Sequence, residues 1–274
     1  MKIWFITGAS RGFGALVTER ALARGDAVVA TARKAEAIAT RFGDPPNLLG
    51  LPLDVTDEAQ AIAAAKAAID RFGRIDVLFN NAGFGVMGAV EETGAAEVEA
   101  VYRTNVFGLL NVTRAILPHM RSARSGRILN VSSIGGYRGA AGFGVYSSTK
   151  FAVEGVSEAL HDELAPLGIH VTVVEPGYFR TDFLDGSSLS VSPAVIADYD
   201  DTAGKVRTVA AGLSHNQPGD PARLAQVLVE FAEALNPPVR LPLGSDTVAA
   251  IQAKHEADGA ILREWRSVSV STDF

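Results

Sequence analysis

The sequence predicts an α/β fold, a doubly wound parallel sheet of about seven strands with helices on both faces. Three observations predict it. Short apolar runs alternate with helical stretches along most of the 274 residues, and strands that read as unbroken apolar runs are those covered on both faces. Hydrophobic residues make up 47% of the chain, enough for a large core. No internal repeat and no shift in composition marks a second domain, so residues 1–274 are read as one unit.

Ile3–Thr7 is a short apolar run that stops at Gly8, read as a buried strand. Phe13–Ala23 has helical spacing and closes at Gly25. Ala27–Ala32 is a second strand, and Ala35–Phe42 a helix stopped by Asp44-Pro45-Pro46. Leu48–Leu53 is the third strand. Asp57 caps an alanine-rich helix that runs to Phe72 and closes at Gly73. Ile75–Asn80 is the fourth strand, and one long helix is expected from Ala95 to Met120. Gly126–Ser132 is the fifth strand, Val145–Leu164 a helix and Ile169–Glu175 the sixth strand, closed by Pro176-Gly177. From Thr181 to Asn216 the chain is rich in Asp, Gly, Ser and Pro with little period. It reads as a segment closing over a substrate. Asp220 restarts a helix through Leu235. Val239–Leu243 is a last strand, at an edge because of Pro242. A final helix, Ser245–Arg266, is expected to break near Gly259 and to end in a polar tail, so 245–274 is a C-terminal extension.

Composition excludes several classes of function. The net charge is −6 and no basic block occurs, so nothing argues for nucleic acid. Cysteine is absent, which removes disulfides, thiol nucleophiles and thiolate metal sites. The five histidines (119, 161, 170, 215 and 255) show no metal-ligand spacing, and no metal is expected. The apolar run after Met1 is too short for a secretory signal, and no stretch approaches the roughly 18 apolar residues a bilayer requires. A soluble cytoplasmic protein is expected. Asn-x-Ser/Thr matches at Asn111 and Asn130 fall inside regular elements and are discounted as glycosylation sites. Trp265 is expected in the core or at an interface.

Two stretches carry chemistry. The first is Thr7-Gly8-Ala9-Ser10-Arg11-Gly12-Phe13-Gly14, between strand one and its helix. Glycines let the backbone turn tightly and approach a pyrophosphate, and the helix N-terminus adds donors and a positive dipole. At the end of strand two, Ala32 and Arg33 stand where an acidic residue would bind ribose hydroxyls. Arg33 can instead pair with a 2′-phosphate, and Arg11 adds a second cation, so NADP(H) is favoured over NAD(H). The second stretch is Tyr146-x-x-x-Lys150. The two side chains share one helix face, and a nearby ammonium stabilises a phenolate, bringing the phenol toward acid–base work near neutral pH. Such a pair is common on surface helices and gains meaning only from its company.

That company is Thr7-Gly8-x-x-x-Gly12-x-Gly14, Asn80-Asn81-Ala82-Gly83, Asn105, Ser133, Tyr146-x-x-x-Lys150 and Pro176-Gly177, in this order. Together they resemble the classical short-chain dehydrogenase/reductases, closely over residues 2–181 and more loosely beyond. Phe13 stands where that family more often has Ile. The resemblance implies a single-domain Rossmann-type sheet and hydride transfer between a nicotinamide and a carbonyl or alcohol. Tyr146 would be the general acid or base and would also contact the cofactor. Lys150 would lower its pKa and bind the nicotinamide ribose, Ser133 (rather than Ser132) would hold the substrate oxygen, and Asn105 would hold a relay water. Gly8, Ser10, Arg11, Gly12, Phe13, Gly14 and Arg33 would bind the cofactor, with Asp54 and Val55 at the adenine. Asn81, Ala82 and Gly83 would run beside it, Asn80 also steadying the sheet, and Pro176, Gly177 and Thr181 would form the nicotinamide-side wall.

The leading expectation is therefore an NADP(H)-dependent carbonyl reductase or alcohol dehydrogenase acting on an apolar small molecule. Phe179, Phe183, Leu184, Leu189, Tyr199, Val86, Met87, Phe143 and Val145 are candidate lining, or else pack the segment onto the body. The alternative is a cofactor-sensing regulatory protein with little turnover. The intact Ser133, Tyr146 and Lys150 argue against it. A homodimer or homotetramer built on helices 95–120 and 145–164 is expected, with no membrane or nucleic-acid partner.

Overall fold

The computed structural model describes residues 1–274. Its strands are β1 (Ile3–Ile6), β2 (Ala27–Ala32), β3 (Leu48–Pro52), β4 (Val77–Asn80), β5 (Gly85–Met87), β6 (Gly126–Val131), β7 (Ile169–Pro176), β8 (Leu189–Val191) and β9 (Arg240–Leu243). The α-helices are α1 (Gly12–Ala23), α2 (Glu36–Phe42), α3 (Glu58–Phe72), α4 (Ala95–Tyr102), α5 (Leu109–Ala123), α6 (Gly144–Leu164), α7 (Lys205–Leu213), α8 (Pro221–Phe231), α9 (Ser245–Glu264) and α10 (Arg266–Val270).

Seven strands form one parallel sheet in the order β3-β2-β1-β4-β6-β7-β9. Every residue of β1, β2 and β4 is buried, as the unbroken apolar runs require. Side chains alternate across the sheet. Trp4 and Ile6 enter a core shared with α1 and α8, while Phe5 enters the opposite core shared with α3 and α5. The strand order reverses between β1 and β4, so a crevice opens beyond their carboxyl ends. The glycine loop, the Asn81–Gly83 segment and Ser133 all leave the sheet at that end.

Local signals account for most boundaries. Asp57 accepts the Gln60 amide at 3.1 Å to cap α3, and Gly73 ends it with φ +82°. Asp220 caps α8 through Ala222 N. That helix stops at Phe231 rather than Leu235, with Ala232 as its C-cap. Pro242 sits in β9, the edge strand, where its missing N–H leaves no ladder bond unmade.

Other expectations need correction. The stretch 95–120 is two helices joined by a wide turn, a π-helical segment over Arg103–Gly108. It is held open because Asn105 turns its amide inward, onto the Phe84 backbone. Helix α9 passes through Gly259 unbroken, since a helical glycine weakens a helix by only about 1 kcal/mol. The tail is helical as α10, and Trp265 is 54% exposed, so it is not in the core. The stretch 181–216 contains β8 and α7, and β8 pairs in parallel with β5, pinning this segment onto the body. No helix is long and apolar enough to cross a membrane.

Candidate active site

The glycine loop carries two backbone requirements. Gly8 and Gly12 have φ +65° and +55°, and a Cβ on Gly12 would meet nothing within 4 Å, so its Cα faces open space. Gly14 is the reverse. A Cβ there would run into the Gly8 carbonyl oxygen and lie 2.6 Å from Asn81 Nδ2, so this glycine lets α1 press against the loop. The first turn of α1 has no side-chain cap and no acidic residue. Its free N–H donors and positive dipole end therefore face the crevice, as a pyrophosphate requires, and the residues present fit a dinucleotide.

The loop is locked to the next strand. Thr7 Oγ1 accepts from Asn81 N (2.9 Å) and Ala82 N (3.0 Å), and Asn81 Nδ2 donates to Thr7 O and Gly8 O. Asn80 lies deeper. It donates to Asn130 Oδ1 and Thr113 Oγ1, which ties β4 to β6 and α5. At β3, Asp54 Oδ1 accepts from Thr56, and the Val55 carbonyl accepts from Asn111 Nδ2, which fixes both residues at the crevice rim. Arg33 is exposed beyond β2 and makes no ion pair or hydrogen bond through its side chain, whereas Arg11 donates to Ser187 O at 2.6 Å and so joins the loop to the 181–216 segment. Gly177 donates to Leu243 O, and Thr181 Oγ1 accepts from Phe183 N, so the Pro176–Thr181 wall is held by β9 and its own turn.

Tyr146 and Lys150 share one face of α6, and Ser133 faces them from the end of β6. A Cβ on Gly135 would lie 3.3 Å from Ser147 Oγ and 3.5 Å from both Ser133 Oγ and Tyr146 Cε1, so Ser133 and Tyr146 stand side by side at this glycine. Ser132 is buried instead against Lys150 O. Lys150 Nζ donates to Val131 O at 2.9 Å and lies 5.7 Å from the Tyr146 ring centroid. Burial pulls the Lys150 ammonium down to about 8, with Glu154 acting against the fall. Asn105 Nδ2 donates to Phe84 O and Thr149 Oγ1, and its Oδ1 accepts from Phe84 N. One Oδ1 lone pair remains, on the side where Gly83 has no side chain and Lys150 Nζ borders the same space.

The sequence expects Lys150 to lower the Tyr146 pKa, and in the structure burial acts in the opposite direction. Burial pushes the Tyr146 phenol above its ordinary range, Ser133 pulls it back, and the phenol of Tyr178 adds to the rise. Phe183 and Phe143 cause the burial, with ring centroids 5.6 and 6.2 Å from Tyr146. Of the expected lining, these two reach Tyr146. Met87, Leu189, Leu184 and Phe143 cluster with Ala210, Val86 and Val145 pack with Val101, Phe179 meets Phe13 edge to face at 5.6 Å, and Tyr199 bonds Glu91. Glu92, which sequence reasoning missed, is 2% exposed and holds the segment down by accepting from Ile196 N (2.9 Å) and Arg207 Nη1 (2.6 Å). His215, Asp182 and Asp185 come within 4.8 Å of one another, a proximity their sequence spacing did not show. Hydrogen bonds from His215 and Ser214 to Asp185 account for part of it.

A family model described as short chain dehydrogenase matches residues 2–190. Oxidoreductase BOA17 of Botryotinia fuckeliana is 40% identical over 274 residues, covering 99% of each chain. The 3-ketodihydrosphingosine reductase of Bacteroides thetaiotaomicron is 38% identical over 248 residues, 89% of this chain and 88% of that one. Among solved structures, a short-chain dehydrogenase from Streptomyces avermitilis superposes with TM-score 0.91 at 40% identity, covering all of both chains. One from Burkholderia phymatum in complex with NAD gives 0.82 at 25% identity, covering 94% of each chain. ElxO with NADP bound gives 0.75 at 27% identity, covering 90% of this chain and 99% of that one. The chain belongs to the short-chain dehydrogenase/reductase family, oxidoreductases that act on carbonyl and alcohol groups with a nicotinamide cofactor.

Proposed function

We propose that this member of the family is an NADP(H)-dependent reductase of a lipophilic ketone or aldehyde, with Tyr146 as the general acid. One observation carries the reading. Two hydroxyl side chains, Ser133 and Tyr146, stand side by side, each with an atom 3.5 Å from where a Cβ on Gly135 would lie, at the same sheet end as the open N-terminus of α1. The nicotinamide supplies the hydride when bound. Ser133 holds the carbonyl oxygen as negative charge develops there, and Tyr146 gives it the proton that completes the alcohol. Lys150 steadies the resulting phenolate, and Asn105 holds a water beside Lys150 through its free lone pair.

Arg33, an exposed cation with no partner, supports the phosphorylated cofactor. The rings of Phe183 and Phe143 make the wall over Tyr146 apolar, which favours an apolar substituent next to the carbonyl. One relative is a keto-group reductase by name, in keeping with this substrate class. Exposed Phe107 and Phe151, on the 95–120 stretch and on α6, favour a homo-oligomer, which light scattering would read directly.

The test is a fluorescence titration with NADPH and NADH, followed by lipophilic ketones and aldehydes. Tight NADPH binding with carbonyl-dependent oxidation is expected. NADPH binding without turnover across a broad panel would favour the sensing role, and a preference for NADH would remove the argument from Arg33.

A further inference from the structure

Behind Tyr146 and Lys150, α6 continues the same face with Glu154 and Glu158, each one turn further on. Glu154 is 3% exposed, and Glu175, near the end of β7, is fully buried. Each places one oxygen 2.6 Å from the same atom, Arg240 Nη1 at the start of β9. The other oxygen of each, Glu154 Oε1 and Glu175 Oε2, is buried without a partner. Every packed element contributes a charge or a polar group. From α6 come Lys150 and Glu158, the latter accepting from Arg240 Nη2 at 2.9 Å. From the stretch after β6 come Ser132, beside Glu154, and Tyr137, whose ring lies 5.1 Å from the Arg240 guanidinium. From α9, His255 reaches only the Tyr137 hydroxyl.

One guanidinium cannot neutralise three carboxylates. Two ionised carboxylates sharing one nitrogen out of water repel each other, and a proton held by one of them relieves the repulsion. We propose that Glu154, sharing one proton with Glu175 across Arg240, is a positioning residue for Lys150: it keeps the buried ammonium charged one helical turn from Tyr146. The inference deepens the proposed function and rests on its reading of Lys150.

The electrostatics agree in sign. Burial pushes Glu154 up to about 7, the neighbouring Ser132 hydroxyl opposes the rise, the Glu175 charge adds to it, and Arg240 opposes it. Burial pulls Lys150 down to about 8. As pH rises, the pair loses its proton first. The new negative charge then favours the ammonium in the range where Lys150 would otherwise release its own proton.

The experiment follows Lys150 itself and needs no substrate. Lysine side chains are labelled with ¹³C, and the Lys150 signal, assigned by its loss in Lys150→Arg, is titrated by NMR. In Glu154→Gln the Lys150 midpoint should fall by on the order of one pH unit. An unchanged midpoint in a variant that retains its fold by circular dichroism would overturn the proposal. If Glu154→Gln does not fold, Glu175→Gln takes its place. It should move the buried carboxyl infrared band of Glu154 out of the neutral range, and an unmoved band would overturn the proposal. A shifted Lys150 midpoint in a protein with no reductase activity would support this inference while removing the proposed function.

Discussion

The glycine loop makes a prediction in which two alanine substitutions, two residues apart, weaken cofactor binding for different physical reasons. At Gly12 a Cβ meets nothing, but φ is +55°, where an L-residue costs about 1–2 kcal/mol. For a chain of this size that lowers Tm by about 2–8 °C, taking about 2–4 °C per kcal/mol. The same Cβ enters the space a pyrophosphate needs, and losing even one charge-assisted hydrogen bond of about 1.5–3 kcal/mol weakens NADPH by about 10- to 100-fold. At Gly14 a Cβ meets the Gly8 carbonyl, with its carbon at 2.9 Å, and that backbone cannot yield without moving the loop. Overpacking of this kind costs about 1–3 kcal/mol, so Gly14→Ala should lose about 2–12 °C and bind poorly because the loop itself has moved. Thermal melts and NADPH fluorescence titrations on both variants decide it. Gly12→Ala binding NADPH as tightly as the parent would refute the reading of this loop as the phosphate cradle. Gly14→Ala melting with the parent would refute the packing argument.

Arg33→Ala should weaken NADPH by about tenfold or more and leave NADH nearly unchanged, and equal losses in the two titrations would count against a 2′-phosphate site. Hydrogen bonds from Arg207, Ile196 N and Ala89 N hold the Glu92 carboxyl down at about 2, against 4.5 for a free glutamate. A depressed carboxylate stabilises the fold above its unfolded value, and that stability is lost as pH falls from 4.5 toward about 2. Limited proteolysis should therefore find the 192–213 segment opening over that window, and Glu92→Gln should show it open already at neutral pH. Phe183→Ala should uncover Tyr146 and lower its titration toward the ordinary phenol value, read by tyrosinate absorbance; an unmoved curve would mean that Phe183 is not the cause of the burial.

Much of this was legible in the sequence because short-range signals decide it. Ala27–Ala32 is a strand because its apolar run is short and unbroken, Val145–Leu164 lies within a helix by its apolar spacing, and Asp57 and Gly73 bracket α3 by local capping. The wide turn at Asn105 was not legible, since it depends on Phe84, which comes 21 residues earlier in the chain. Nor was α7, whose attachment depends on Arg207 meeting Glu92 across 115 residues. The site residues were placed by motif order, and the fold brings Ser133, Tyr146 and Lys150 together. The burial of Tyr146 was not legible, because Phe183 and Phe143 cover it only in the folded segment and the Tyr146–Lys150 spacing carries no sign of them. The carboxyl pair behind Lys150 was invisible for the same reason, its two members coming from α6 and β7 and meeting on Arg240 of β9.

The central claim is that Tyr146 delivers the proton while taking little part in holding the cofactor. Tyr146→Phe keeps the ring and its packing against Phe183 and removes only the hydroxyl. The most direct measurement compares this variant with the parent in two assays on the same preparation, NADPH binding by fluorescence and carbonyl-dependent NADPH oxidation with the best ketone of the panel. NADPH should bind within about twofold of the parent, since less than about 0.5 kcal/mol is at stake, while turnover falls by about 100-fold or more. Turnover retained in Tyr146→Phe would contradict the account and assign the proton to another group.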